Sequence, residues 1–86
     1  MTKLLVIFAH WCPICNMVVP VVEEIENNNK EKMQVTWLDI DLYPNLYKDY
    51  SIQLIPTIII MRDDKEVARM SGMLGEETLK ERILFE

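Results

Sequence analysis

Two cysteines separated by two residues, Cys12 and Cys15, are the only cysteines in the chain, and their spacing suits redox chemistry. They stand where an apolar, strand-like run gives way to a helix-like pattern. On the first turn of a helix, a two-residue spacer lets the two sulfurs meet with little backbone distortion, so the pair could cycle between dithiol and disulfide. Unpaired amides and the helix dipole favour the Cys12 thiolate at this position. Pro13 suits the first helical position because its missing N–H needs no partner there.

The same spacing also occurs at zinc sites, which hold the metal with four ligands. One cysteine pair and one histidine, His10, cannot supply four ligands, so a zinc centre would need a second chain. We therefore favour redox chemistry, and we predict no metal and no organic cofactor. An imidazolium at His10 could favour the Cys12 thiolate. Because side chains in an extended segment need not point at the sulfur, we interpret His10 as a solvated loop residue.

Length and composition narrow the class of protein. Half of the 86 residues are hydrophobic, and two glycines and four prolines are present, which predicts one ordered domain over residues 1–86. Two cysteines are too few for a secreted disulfide scaffold, so we expect a reducing, cytoplasmic location. We also expect a monomer. We find no signal-type cleavage site and no run near the roughly 20 apolar residues of a membrane helix. The net charge of −5, without a block of one sign, argues against nucleic-acid binding.

The spacing of apolar residues predicts the element order β-α-β-α-β-β-α. The run from Leu4 to Ala9 is continuously apolar, which is typical of a central strand covered on both faces. Pro20 should kink the first helix without ending it, because the apolar pattern continues beyond it. The predicted strands cover residues 3–9, 33–40, 57–61 and 66–70, and the predicted helices cover residues 13–28, 44–49 and a stretch after Gly75. The predicted buried helix residues are Met17, Val18, Val21, Val22 and Ile25 in the first helix and Leu79, Ile83 and Leu84 in the last.

Two carboxylates, Asp39 and Asp41, stand at the end of the second predicted strand. Paired carboxylates can perform acid–base chemistry. An aspartate also commonly caps a helix, since its oxygens accept N–H bonds from the first turn. We therefore predict that this pair ends the strand and caps the helix that follows.

Several separate motifs, in the right order, resemble the thioredoxin superfamily. The sequence Trp11-Cys12-Pro13-Ile14-Cys15 resembles the family's redox motif, and Pro20 follows the first cysteine by eight residues. Further along, Ile55-Pro56-Thr57 resembles the cis-proline loop, and Gly72 follows the predicted hairpin. The resemblance covers nearly the whole chain. It implies a minimal thioredoxin-like α/β fold, with a four-stranded mixed sheet in the order 2-1-3-4 and helices on both faces.

The resemblance also implies roles for individual residues. Cys12 would be the nucleophile, Cys15 the resolving thiol, and Pro56 a cis proline that leaves the Ile55 main chain free to pair with an extended substrate. The implied substrate-binding residues are Trp11, Pro13, Ile14, Ile55, Pro56, Gly72 and Met73. The resemblance thus predicts a thiol–disulfide oxidoreductase that reduces protein disulfides, with a thioredoxin-reductase-like protein or glutathione as electron donor.

The motifs divide between two branches of the superfamily. The Cys12-Pro13-Ile14-Cys15 spacer is similar to glutaredoxins, whereas Pro20 and the Ile55-Pro56-Thr57 loop are closer to thioredoxins. A glutathione-coupled glutaredoxin-like reductase and a non-catalytic binding module therefore remain as alternatives. Thioredoxins carry a buried aspartate and a lysine near the second cysteine, and the matching positions here are Val6 and Trp37. Apolar side chains at these two positions beside Cys15 predict that desolvation raises the pKa of its thiol.

Overall fold

The computed structural model describes residues 1–85, so Glu86, the last residue of the predicted domain, lies outside the described residues. The predicted element order is confirmed, with most boundaries within one or two residues of the prediction. The elements are β1 (Thr2–Phe8), α1 (Pro13–Asn28), β2 (Met33–Asp39), α2 (Leu46–Asp49), β3 (Thr57–Arg62), β4 (Lys65–Ser71) and α3 (Glu76–Phe85). Among these described helices, none is long and apolar enough to cross a membrane.

The four strands form a mixed sheet in the order β2-β1-β3-β4, as predicted. Strand β1 is central, pairing in parallel with β2 and antiparallel with β3. Strands β3 and β4 form a hairpin whose two turn residues, Asp63 and Asp64, have φ values of 53° and 63°. Positive φ at both central residues is typical of a type I′ turn, whose twist matches that of the flanking strands.

Alternate residues of β1 and β3 point to opposite faces of the sheet and build two apolar clusters. In the first cluster, Leu4 and Ile60 meet buried residues of α1 and α3, such as Val22 and Leu79. In the second cluster, sheet residues meet Leu46 of α2 and both cysteines; its buried members are Ile7, Ala9, Cys12, Cys15, Ile40, Leu46, Ile52 and Ile59. Helices α1 and α3 thus cover one face and α2 the other, which confirms the prediction of helices on both faces.

Two predicted core positions are wrong. Met17 in α1 is 59% exposed and Leu84 in α3 is 39% exposed. The buried residues of α1 recur at steps of three and four, at Cys15, Val18, Val22 and Ile25, and Met17 lies one residue, or about 100° of rotation, off that stripe. Leu84 is displaced from buried Ile83 in the same way.

Of the two predictions about prolines within or before helices, continuation of the helix past Pro20 is confirmed and a helix start at Pro44 is wrong. Helix α1 continues past Pro20, as predicted. Helix α2 does not begin at Pro44, because the preceding chain is held in a tight turn. In that turn the Tyr43 N–H donates to the Asp39 carbonyl, and the Leu46 N–H donates to the Tyr43 carbonyl.

Candidate functional site

Cys12 caps the N-terminus of α1, directly after the buried end of β1. Its backbone is extended, with φ −89° and ψ 114°, and Pro13 occupies the first helical turn as predicted. The Cys12 N–H donates to the Ala9 carbonyl at 3.3 Å, and the Cys12 carbonyl accepts the Asn16 N–H at 3.1 Å. The connection from strand to helix is therefore short and hydrogen-bonded, which fixes where the Cys12 side chain starts.

The Cys12 sulfur faces both Cys15 and the loop before β3. It accepts the backbone N–H of Cys15 at 3.2 Å, and its thiol lies 4.0 Å from the Ile55 carbonyl oxygen as donor. Both cysteines are free thiols. Cys12 retains 5% of its accessible surface and Cys15 none, so both cysteines are almost enclosed by the fold. A reactant must approach through the small opening at Cys12.

Burial dominates the acidity of the second thiol. The pKa of Cys15 is raised from 9.0 to about 12, mainly by burial and to a lesser extent by the hydrogen bond to Cys12 and the charge of that neighbour. The predicted direction is confirmed, but Val6 belongs to the first apolar cluster and Cys15 to the second. Trp37 is half-buried and packs against the first cluster. The surroundings of Cys15 are therefore second-cluster residues such as Ile7, which sequence reasoning did not single out.

His10 lies on the loop before Cys12 and faces β2. Its side chain is 79% exposed, its Nε2 lies 3.4 Å from Asp39 Oδ2, and its ring meets the Phe8 ring edge-on at 5.2 Å. The prediction of a solvated loop residue is confirmed. These contacts of His10 are with Asp39 and Phe8, and neither is a cysteine.

Trp11 is held in place by Asp41, a contact that sequence reasoning missed. The indole Nε1 donates to both carboxylate oxygens of Asp41, at 3.0 and 3.2 Å, while 63% of the Trp11 surface stays exposed. Asp39 Oδ1 accepts the Asp41 N–H at 2.9 Å. The predicted capping role is wrong for both aspartates, because α2 begins only at Leu46 with Asn45 as its cap residue.

A signal for this contact was present in the sequence. Parallel strands end at the same edge of a sheet, and β1 and β2 are parallel with Phe8 opposite Asp39. Polar residues just after the two strands are therefore brought side by side. His10 and Trp11 after β1 meet Asp39 and Asp41 at the end of β2 for this reason.

The loop before β3 brings Ile55 and Pro56 to the same edge. The Ile55–Pro56 peptide bond is cis, as the resemblance implied. Pro56 is buried, and its carbonyl accepts the Gly72 N–H at 2.9 Å. Gly72 has φ +79°, a left-handed conformation that side chains other than glycine disfavour, and a Cβ there would lie 3.5 Å from Leu54 Cδ1.

Other predicted binding residues present apolar surface around this edge. Trp11, Ile14 and Met73 are 63%, 38% and 52% exposed, Pro13 is exposed, and Ile55 is half-buried. Leu54, which the sequence did not suggest, is 48% exposed and adjoins Gly72. Within residues 1–85, no group of three or more histidine, cysteine, aspartate or glutamate side chains could hold a metal ion. The edge thus combines two thiols with an apolar rim.

Known proteins are similar to this chain in sequence and in fold. The thioredoxin family model matches residues 1–84. Thioredoxin Y1, chloroplastic, of Arabidopsis thaliana is 34% identical over 76 residues, which are 88% of this chain and 44% of that protein. The bifunctional thioredoxin reductase/thioredoxin of Mycobacterium leprae is 35% identical over 72 residues, which are 84% of this chain and 16% of that protein.

A solved structure agrees. The X-ray structure of Fasciola hepatica thioredoxin matches with a TM-score of 0.85 at 31% identity, covering 96% of this chain and 78% of that one. The chain spans less than half the length of Thioredoxin Y1. The family pattern nevertheless extends over almost all of its residues. The chain belongs to the thioredoxin family.

Proposed function

We propose that this protein is a thiol–disulfide oxidoreductase that reduces protein disulfides. The observation that carries the proposal is the position of the two thiols, with Cys12 capping α1 and the Cys15 N–H only 3.2 Å from its sulfur. An amide directed at a sulfur stabilises negative charge on it, as does the helix N-terminus. Membership of the thioredoxin family supports the same chemistry.

In the first step, the Cys12 thiolate attacks one sulfur of a substrate disulfide. The new bond joins Cys12 to that sulfur, the substrate S–S bond breaks, and the departing substrate thiolate takes a proton from solvent. The Ile55 carbonyl lies 4.0 Å from Cys12, so a main chain laid along the Pro56 loop would reach the sulfur in an extended conformation. The exposed rim at Trp11 and Met73 supplies apolar contact.

In the second step, the Cys15 thiol loses its proton and attacks Cys12. A Cys12–Cys15 disulfide forms, the mixed disulfide breaks, and the second substrate thiolate leaves. Two electrons have then passed from the protein to the substrate. Because the pKa of Cys15 is raised to about 12, chiefly by burial, the attacking thiolate is scarce at neutral pH and this second step is the slow one.

A thioredoxin-reductase-like protein is our proposed electron donor. The relative from Mycobacterium leprae is named as a bifunctional thioredoxin reductase/thioredoxin, which supports a donor of this class. Supplying the protein either with a thioredoxin reductase and NADPH or with glutathione and glutathione reductase tests the choice. Turnover with the first system alone is expected, whereas turnover only with the second would establish the glutathione-coupled alternative.

Insulin reduction tests the activity itself. The unaltered protein should reduce insulin with dithiothreitol as electron source, Cys12→Ser should abolish the reaction, and Cys15→Ser should stop it at a mixed disulfide detectable by mass spectrometry. Thr36→Ser, on the exposed surface of β2, is a control that changes a side chain outside the site. Unchanged partner affinity in both cysteine variants, together with no disulfide reduction by the unaltered protein, would instead indicate a binding module.

We further propose that residues 1–86 form one domain that acts as a monomer in a reducing compartment such as the cytoplasm. The single sheet of residues 1–85, covered on both faces, supports one domain, and a cysteine count too low for a disulfide scaffold supports a reducing compartment. Light scattering should give a mass of about 10.2 kDa, and twice that value would contradict a monomer. The Arabidopsis relative is named as chloroplastic. In a cell that contains plastids, fractionation should therefore compare the amount of this protein in the plastid and in the cytosol.

A further inference from the structure

Thr57, the first residue of β3, is the one buried polar or charged side chain among residues 1–85, with 1% of its surface exposed. A buried hydroxyl is costly unless it is hydrogen-bonded. The Thr57 hydroxyl has two partners, the Leu54 carbonyl at 2.7 Å and the Ser71 hydroxyl at 2.8 Å. Ser71 is the register partner of Thr57 on β4, so the two side chains lie side by side on one face of the hairpin.

The direction of these bonds follows from counting hydrogens. A threonine hydroxyl carries a single hydrogen. The Leu54 carbonyl can only accept, so Thr57 donates its hydrogen to that carbonyl. The hydrogen in the second bond therefore belongs to Ser71. The result is a directed chain in which Ser71 donates to Thr57 and Thr57 donates to Leu54.

This chain ends next to the reactive sulfur. Leu54 is joined directly to Ile55, whose carbonyl oxygen lies 4.0 Å from Cys12 Sγ. The same strand end also holds the next residue, because the Gly72 N–H donates to the Pro56 carbonyl at 2.9 Å. The Leu54–Pro56 main chain is thus fixed to the end of β4 at two points.

We propose that Ser71 and Thr57 form a relay of two hydroxyls that positions the Leu54–Ile55 main chain beside Cys12 for binding of an extended polypeptide substrate. Both are then positioning residues, since they act through the loop and do not touch the reacting sulfurs. The inference rests on the proposed disulfide reductase function. It predicts a selective effect, because a small disulfide has no main chain to pair with the loop, whereas a polypeptide does.

The test compares two substrates, insulin and dipyridyl disulfide, in the full-length protein. Thr57→Val removes the hydroxyl at nearly constant volume, and Thr57→Ser keeps the hydroxyl but removes the methyl group. For insulin we expect Thr57→Val to raise KM about two- to tenfold, the range of one net hydrogen bond, with kcat unchanged. Thr57→Ser should keep KM near that of the unaltered protein. The rate with dipyridyl disulfide should be the same in all three proteins.

Ser71→Ala provides a second variant, at an exposed position that does not endanger folding. Ser71→Ala should raise KM for insulin less than Thr57→Val does. Ser71→Thr, which keeps a hydroxyl, should leave KM near that of the unaltered protein. Because the relay acts as one unit, adding Ser71→Ala to Thr57→Val should produce no further increase. Thr36→Val, an exposed threonine on β2, is the matched control for the change in residue type.

Three results would overturn the relay: an unchanged KM in Thr57→Val, an equal rise in Thr57→Ser and Thr57→Val, or a parallel loss of the rate with dipyridyl disulfide. The second result would assign the effect to packing of the methyl group, and the third to damage at Cys12. Should Thr57→Val not fold, the comparison of Ser71→Ala with Ser71→Thr decides the matter alone. Failure of the unaltered protein to reduce insulin would instead refute the proposed function.

Discussion

Release of the reduced substrate should depend steeply on pH, because Cys15 must lose its proton before it can attack the mixed disulfide. Its pKa is raised from 9.0 to about 12, chiefly by burial. At pH 7 a thiol with that pKa is ionised to about one part in 10⁵, against about one part in 10² for an unperturbed thiol. The attacking thiolate is therefore about a thousandfold scarcer.

A more basic thiolate is also a better nucleophile, and this partly offsets the scarcity. With a Brønsted coefficient of about 0.4–0.5, three units of pKa raise the intrinsic reactivity about 16- to 32-fold. With the whole shift in place, the release step at pH 7 is about 30- to 60-fold slower than that of an unperturbed resolving cysteine, and this is the upper limit of the effect. In the mixed disulfide Cys12 carries no charge, so its electrostatic contribution disappears while burial, the largest cause, remains.

The lifetime of the mixed disulfide measures this step directly. A single-disulfide substrate protein is mixed rapidly with the reduced protein, quenched in acid at intervals and examined by mass spectrometry between pH 6.5 and 9. The release rate should rise close to tenfold per pH unit without a plateau, and Cys15→Ser should show no release at any pH. A plateau at or below pH 8.5 would mean that Cys15 ionises readily, and the argument from burial would then be refuted.

Three further predictions concern stability and are read from urea denaturation. Val6→Asp should lower the free energy of unfolding by about 3–5 kcal/mol at pH 7, because Val6 is fully buried and a carboxylate there is unpaired. The loss should be smaller at pH 5, where the carboxyl is protonated, and an equal loss at both pH values would contradict this. Asp64→Gly should stabilise the protein by about 0.5–1 kcal/mol, since φ is +63° in the hairpin turn, and a loss of stability would exclude a strained turn. Glu66→Gln should cost about 0.2–1 kcal/mol, because the exposed Glu66 carboxylate pairs with Arg69. Arg69 lowers the pKa of Glu66 from 4.5, so this contribution is present above pH 4.5 and is lost as the pH falls through the lowered pKa; a constant cost from pH 3 to pH 7 would rule out the ion pair.

Local patterns in the sequence were sufficient for much of the fold. The continuous apolar run of β1, the helical spacing after Pro13 and the polar turn before β4 are local signals, and they predict the element order. The sheet order, in contrast, was implied by the resemblance to the thioredoxin superfamily. The start of α1 at Pro13 followed from a local preference of proline, and the cis bond at Pro56 was implied by the resemblance of Ile55-Pro56-Thr57 to the family's cis-proline loop. The errors at Met17 and Leu84 arose because both lie next to a truly buried residue, and a difference of one position decides which face a side chain takes.

Contacts between segments distant in sequence could not be predicted in the same way. The hydrogen bonds of Trp11 with Asp41 and of Thr57 with Ser71 join residues 30 and 14 positions apart, and they exist because parallel and hairpin pairing aligns the strand ends. The pKa of Cys15 also depends on folding, since its desolvation comes from residues of several elements that pack around it.

The sequence by itself therefore determined that a pair of thiols stands at the start of a helix, because the spacing of Cys12 and Cys15 and the proline between them act within one turn of chain. Only the tertiary structure decided how deeply each thiol is buried, that the Ile55 carbonyl faces Cys12, and that the Thr57 hydroxyl bonds the neighbouring Leu54 carbonyl. Burial and register arise from packing whole elements against each other, and no short stretch of sequence contains that information.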